Sequence, residues 1–421
     1  KHIDWQAVTV ADGSTQLTAT AGKGYFLDTN AGVIEVFFPT SPSRGDTIVL
    51  ADYSGTFSTN QIIINTGGQN IDSTVGTDFK VTTNNSIVEL VYVDANKGWL
   101  VKLNQAAGTT PGTALDTFGG YDNVPPYIVA TGGTITTSGD FKIHSFTGDG
   151  NFAVSSAPTP ANNNVDYLVI AGGGYGGRAH GGGGGAGGYR ESSGAASGCY
   201  GVSPLGACVA AITVSSQSYP IVVGAGGGAA QCGFDSSGLG ITSSGGAKGG
   251  TGVAGGGAGT AGTAGGSGGG GGSNNSNPAN PGAGGAGNTP PTSPPQGNAG
   301  GNGFSFQGHS FGSGGGGGAT AAGGGGGPGA GGAGGAGGTS SINATPTVRG
   351  GGGGGAGRQP LGGVGTFGAP GPGGGGKGGQ ANLCAANGGA NTGGGGGGQS
   401  SGTGSGTSGG PGVVILRYRY Q

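Results

Sequence analysis

Hydrophobic and polar positions alternate with a short period along the first hundred residues. Runs of β-branched and aromatic residues occur at Tyr25–Asp28, Val33–Phe38, Thr47–Leu50, Gln61–Asn65, Phe79–Thr82, Ile87–Val93 and Trp99–Leu103. Turn chemistry separates them at Ser41–Pro42, Gly67–Gly68, Asn84–Asn85 and Lys97–Gly98. No stretch sustains a helical period, so residues 1–104 predict an all-β module, a β-sandwich or alternatively a barrel, with one modest core. A Gly-, Thr- and Pro-rich linker over 105–126 follows and closes on Pro125-Pro126, which favours extended backbone.

The pattern then shortens. Tyr127–Ala130, Gly139–Phe146, Asn151–Ser155 and Asp166–Ala171 read as strands. The last is continuously apolar, which predicts burial on both faces. A matching run, Val413-Val414-Ile415-Leu416, lies near Gln421 and is followed by alternating Arg and Tyr. The expectation is one small sheet built from 127–171 plus 412–421, with 172–411 inserted between its strands. Within the insertion, Ala211–Ser215 and Tyr219–Gly224 look like a hairpin.

Composition changes the picture of that insertion. The chain has 118 Gly in 421 residues, against a usual share of about 7%. Gly runs recur from Gly172–Gly174 to Gly393–Gly398, with non-glycine segments between them. A flexible linker is one reading, since glycine loses most backbone entropy on ordering. Collagen is excluded, because Gly does not stand strictly at every third position with abundant Pro. A packed bundle of polyglycine II helices is the third reading. An extended three-residue-per-turn helix has no internal hydrogen bonds, so its N–H and C=O groups need partners on neighbouring chains. Only residues without Cβ permit that approach on every side. In Gly329–Gly338 the alanines Ala330, Ala333 and Ala336 recur at period three. They predict a helix at the lattice edge, while Gly314–Gly318, Gly350–Gly355 and Gly393–Gly398 suit its interior. The fold class expected is all-β N-terminally plus a polyglycine II bundle, with essentially no α-helix.

Charge narrows the function classes. Charged residues are 8% and the formal net charge is −2, which argues against a nucleic-acid binder. No apolar run approaches the ~20 residues of a membrane helix. Lys1–Trp5 reads as the middle of a longer sequence. G-x-G-x-x-G matches carry no weight in so glycine-rich a chain. The histidines His2, His144, His180 and His309 have no metal-ligand spacing, so no metal or cofactor is expected. No nucleophile–base constellation is readable, and the reading is of a protein that is not an enzyme. A pair such as Asp122 and Asp140 could serve a glycoside hydrolase, although ordinary surface acids explain both. Trp5 and Trp99 read as core or interface residues rather than sugar platforms. Cys199 with Cys208, and Cys232 with Cys384, could form disulfides; four free thiols are the open alternative.

Between the Gly runs, the side-chain chemistry concentrates in loops. The candidate receptor-binding residues are Phe304, Phe306, His309 and Phe311, then Arg349, then Arg358, Gln359, Leu361 and Phe367. Aromatics dominate binding hot spots, and exposed apolar clusters mark interaction sites. Packing against a neighbouring loop or subunit is the alternative for the Phe cluster.

Two features resemble a known family. Ile3-Asp4-Trp5-Gln6, Gly24-Tyr25-Phe26, Phe38-Pro39-Thr40-Ser41-Pro42, Gly45-Asp46, Asp52-Tyr53, Thr59-Asn60, Asn70-Ile71 and Leu90-Val91-Tyr92-Val93-Asp94 through Gly98-Trp99 resemble a module of marine bacteriophage tail fibres, cyanophage- and pelagiphage-like. Asp166–Ala171 with its Gly run, Gly185–Arg190, Tyr219-Pro220 and Val413–Tyr420 resemble the glycine-rich domain of the same tail proteins. The Gly-run region is similar in style to the polyglycine adhesin tips of T-even-like phages, where variable loops contact the receptor. The resemblance implies a viral receptor-binding adhesin on the distal tail fibre of the virion. It would assemble as a homotrimer with other tail-fibre or baseplate proteins. Its partner would be a host glycan or outer-membrane protein, with neither nucleic acid nor membrane insertion. A cell-surface filament subunit and a polysaccharide-degrading spike are the alternatives.

Overall fold

The computed structural model describes residues 3–75, 78–104, 127–157, 162–252, 257–274, 280–306, 311–358, 365–380, 383–400 and 406–421. The chain forms two compact units, Lys1–Asn123 and Val124–Gln421. Among the described residues there is no α-helix. The expected linker, 105–126, lies outside the described residues.

In the first unit, two sheets enclose one core. Successive strands cross from sheet to sheet: Lys23–Asp28, Ile34–Phe37, Thr47–Asp52 and Ile62–Asn65 alternate between them. Each strand therefore meets the next one of its own sheet in parallel, Tyr25 opposite Leu50 and Val36 opposite Ile64. A sandwich of consecutive hairpins would pair them antiparallel, and the crossing from sheet to sheet makes them parallel instead. Antiparallel pairs join them at the margins, Phe79–Val81 on Ile62–Asn65 and Asn70–Ile71 on Thr74–Val75, and Ile87–Asp94 runs antiparallel to both Thr47–Asp52 and Gly98–Asn104. Inward residues of both sheets, such as Leu27, Ile34, Val36, Leu50, Ile64 and Leu90, make a single apolar cluster. Trp99 is fully buried there, stacked on Phe38, with its indole N–H on Gln69. Trp5 instead lies at the surface, stacked on Phe26.

The second unit is built around Val413–Arg419. This strand sits between Phe141–Phe146 and Asn164–Ile170, antiparallel to both, with Asp166 opposite Arg417 and Ile170 opposite Val413. Side chains alternate across a strand. Val414, Leu416 and Tyr418 face one apolar cluster with Phe152, Val165 and Tyr167, while Val413 and Ile415 face another with Leu168, Ile170 and Ala319. Burial on both faces explains the uninterrupted apolar runs. The hairpin expected at 211–224 does not form. Ile212–Thr213 pairs with Asn164–Val165, and Ser218–Ile221 pairs with Gly150–Ala153. Those older edges offer ladders with apolar cover, which a free two-stranded hairpin lacks.

The glycine runs form a polyglycine II lattice. In the segment 181–188, Gly182, Gly185 and Gly188 donate to Gly250, Ala247 and Ser244. Gly183 and Ala186 donate to Gly314 and Gly317, and Gly184 and Gly187 to Gly396 and Gly393. Their carbonyls accept from three further segments: Gly177, Gly174 and Ala171; Gly270 and Ser267; Gly353 and Ala356. One helix thus bonds six neighbours, changing partner with every residue and returning to the same partner every third. That is the three-residue turn of the helix read out in hydrogen bonds. A Cβ on Gly183 would stand 2.0 Å from the Gly353 carbonyl oxygen, and one on Gly184 would stand 2.2 Å from that of Gly174. Close approach, not conformational freedom, requires glycine at both.

The edge expectation holds where it was made. Ala333 is exposed, and Ala330 and Ala336 are half-buried. Around them, Gly331 and Gly334 donate to Thr366 and Ala369, and Gly332 and Gly335 to Ser313 and Gly316. The runs at 314–318, 350–355 and 393–398 are buried throughout. Alanine is not confined to edges, however: Ala186, Ala247 and Ala356 are fully buried. These lone alanines keep their lattice bonds, Ala186 donating to Gly317 and accepting from Ser267.

Candidate functional site

The helices run between two ends. At the near end they leave the sheet, as where Ala171 bonds Gly188 directly after strand Asn164–Ile170. Six residues further, at ~3.1 Å each, the turn Arg178-Ala179-His180 reverses the chain at the far end. Ala179 and His180 adopt φ of 49° and 66°. This tight reversal leaves Arg178 exposed and turns the His180 ring inward, where the residue is 2% exposed.

The far end is closed by a small antiparallel sheet of Phe304–Ser305, Phe311–Gly312 and Gly357–Arg358. Ser305 pairs with Phe311 and Phe311 with Arg358, so these three share one face. Phe304 and Phe306 take the other by alternation. On the inner side, Phe311 is buried and meets the His180 ring at 4.1 Å between centroids. Below it, Ser313 donates to the His180 carbonyl at 2.5 Å, the Ser273 and Ser313 hydroxyls lie 2.9 Å apart, and Asn274 N–H donates to Ser305. Burial holds the His180 imidazole down at about 4, with the nearby Arg358 charge acting in the same direction. His180 is therefore neutral near pH 7, and its Nδ1 is buried without a hydrogen-bond partner among the described residues.

The outer side carries exposed apolar groups. Phe306 is 60% exposed, Leu383 47% and Phe367 38%. Lys377 lies over the Phe367 ring at 5.9 Å. Ladder contacts place these residues at one end: Gly331 N–H reaches Thr366, next to Phe367, and Leu383 bridges Gln380 beside Gly379, which bonds Gly398. Gly398 in turn precedes Gln399, whose carbonyl accepts from His180.

The residues singled out by sequence therefore divide. Phe304, Phe306, Arg358 and Phe367 come together at the far end. Phe311 is there too but is core, so its side chain is shut off from any receptor. Arg349 is corrected outright. It ends the hairpin Gly338–Ser340 with Thr347–Arg349 at the sheet end, and it is buried beside Tyr189 and Glu191. His309, Gln359 and Leu361 lie outside the described residues. Arg178, Lys377 and Leu383 were not singled out by the sequence, and His180 stood there only as a histidine without metal-ligand spacing. The signal for Arg178 and His180 was a three-residue break, Arg178-Ala179-His180, between two Gly runs, too short for anything but a turn.

The proposed bridges Cys199–Cys208 and Cys232–Cys384 are absent, since all four cysteines are free thiols. Cys232 sits 3.4 Å from the Thr263 hydroxyl, while Cys199 and Cys208 are exposed in the connection between Tyr189–Glu191 and Ile212–Thr213. Asp140 makes an exposed ion pair with Arg419 at 3.8 Å, and Asp122 is outside the described residues. Among the described residues no group of three His, Cys, Asp or Glu could hold a metal. Among the described residues no helix is long and apolar enough to cross a membrane.

A family model described as a glycine-rich domain matches residues 147–419. No curated protein matches the chain.

Proposed function

We infer, for a chain that belongs to the glycine-rich domain family, that it is a host-attachment protein of a bacteriophage tail fibre. The lattice would serve as a stiff stalk, and the far end of the bundle would meet the host surface. One observation carries the reading: Phe306, Phe367 and Leu383 are exposed at the end remote from the sheet, where they contribute nothing to a core. Large exposed apolar groups gathered at one place are the usual mark of an interaction surface. The similarity of the first unit to tail-fibre modules supports the phage assignment over a cell-surface filament. A homotrimeric fibre, with a host glycan or outer-membrane protein as receptor, accompanies this reading.

The test is adsorption of the purified chain to candidate host cells, with Phe306→Ser and Phe367→Ser combined. Both side chains are at the surface, so the melting temperature should stay put while cell binding falls roughly tenfold or more, as for hot-spot aromatics. Unchanged adsorption by a folded double variant would remove the far end from the receptor contact.

A further inference from the structure

We propose that the ligand of the far end is an acidic saccharide, one bearing carboxylate or phosphate groups. The proposal rests on the attachment reading above and adds the chemical class of its receptor.

The argument begins with where the charges are. Between Ser236 and Gln421 the sequence has no Asp or Glu. Within 172–411 the acids are Glu191 and Asp235, and both are held at the sheet end. Glu191 is buried, accepting from the Tyr189 hydroxyl and the Ser203 N–H, and Asp235 accepts from the Gly245 N–H. The far end, by contrast, carries Arg178, Arg358 and Lys377. None of the three has a carboxylate partner among the described residues. The lattice between the two ends is uncharged backbone apart from Lys248, so nothing neutralises this end from below.

Cations without counter-charge attract an anionic ligand over a Debye length of ~8 Å at physiological salt. Lys377 lies over the ring of exposed Phe367, Arg358 stands half-buried in the closing sheet close to His180, and Arg178 is exposed in the turn at the same end. Aromatic faces cover the apolar C–H faces of a sugar ring, while guanidinium forks bind carboxylate or phosphate in two-point fashion. A neutral glycan would use the rings and leave the cations idle. A nucleic acid would need a longer basic stripe than three residues provide.

The experiment uses the full chain against three immobilised polymers: polygalacturonate for carboxylate, phosphomannan for phosphate, and dextran as the neutral control. Binding to at least one anionic polymer should exceed binding to dextran by roughly tenfold and weaken as salt rises. Arg178→Gln with Arg358→Gln should lower that binding by about tenfold, chiefly through slower association. Equal binding to dextran, or salt-independent binding, overturns the proposal on the wild-type chain alone, whether or not the double variant folds. A folded double variant that binds as well as wild type also overturns it. Cell adsorption separates the two readings. A chain that adsorbs to cells but ignores both anionic polymers loses only the acidic ligand. A chain that binds polygalacturonate or phosphomannan but no cell loses only the attachment role.

Discussion

The imidazole of His180 lies edge-on against the ring of Phe311, 4.1 Å between centroids, and both are buried beneath the sheet that caps the bundle. One comes from a turn between glycine helices and the other from a strand 131 positions later, so the contact ties the far end together. It also ties the stability of the cap to pH. Burial holds His180 at about 4 when folded, against 6.5 when unfolded. Below pH 6.5 the unfolded chain takes up the proton first. Stability from His180 is therefore fully present above pH 6.5 and drains away as pH falls toward 4. His144, also buried and lowered by desolvation, acts with the same sign, while buried Glu191 is raised and acts with the opposite one. Comparing wild type with His180→Gln isolates the term. Unfolding free energies at pH 7 and pH 4.5 should differ less in the variant, by an amount on the order of 2 kcal/mol. An identical pH dependence in both would show that the ring is solvated.

Lattice position should decide what a methyl group costs. Gly183→Ala puts a Cβ 2.0 Å from the Gly353 carbonyl oxygen. The cost should reach the upper range of overpacking, ~3 kcal/mol or more. At the edge, Ala333→Gly frees backbone entropy only, and should cost no more than ~1 kcal/mol. Urea denaturation of the two variants compares them directly, and equal costs would mean the helices slide to make room.

Calorimetry should show an unusual heat capacity. Exposed apolar surface raises the heat capacity of unfolding and exposed peptide lowers it. Interior segments such as 350–355 bury peptide groups and almost no side chain. The second unit should therefore unfold with less than the usual ~12–15 cal/mol/K per residue. A value inside that range would mean that its apolar clusters, not the lattice, dominate what is exposed.

Removal of the last strand should unfold the second unit alone. Leu416 is fully buried opposite Tyr167 and His144, so Leu416→Ala should cost ~2–5 kcal/mol. Deleting 413–421 takes out the middle of the sheet. The first unit has its own core, and its melting transition should survive the deletion. Loss of both transitions would show that the units fold together.

The outcome separates what a one-dimensional pattern carries from what it does not. Strands such as Ile87–Asp94 and Asn164–Ile170 were legible because a half-buried or doubly buried strand writes its environment into its residues. So was the edge helix, since a methyl every third residue can point only away from a packed neighbour. The sequence alone thus determined the absence of α-helix among the described residues, the period-three edge of a polyglycine bundle and the closing of the sheet by Val413–Arg419. Which loops share an end was not legible. Phe311 and Phe306 look alike in a row of letters, yet one caps the core and the other faces solvent. Arg349 and Arg358, nine positions apart, lie at opposite ends because a six-residue glycine helix carries the chain ~19 Å between them. Polyglycine has no side chain to record which neighbour it touches. Partner choice is therefore decided only when all the backbone hydrogen bonds close together, and it is this tertiary closure that assembled the far end and its uncompensated charge.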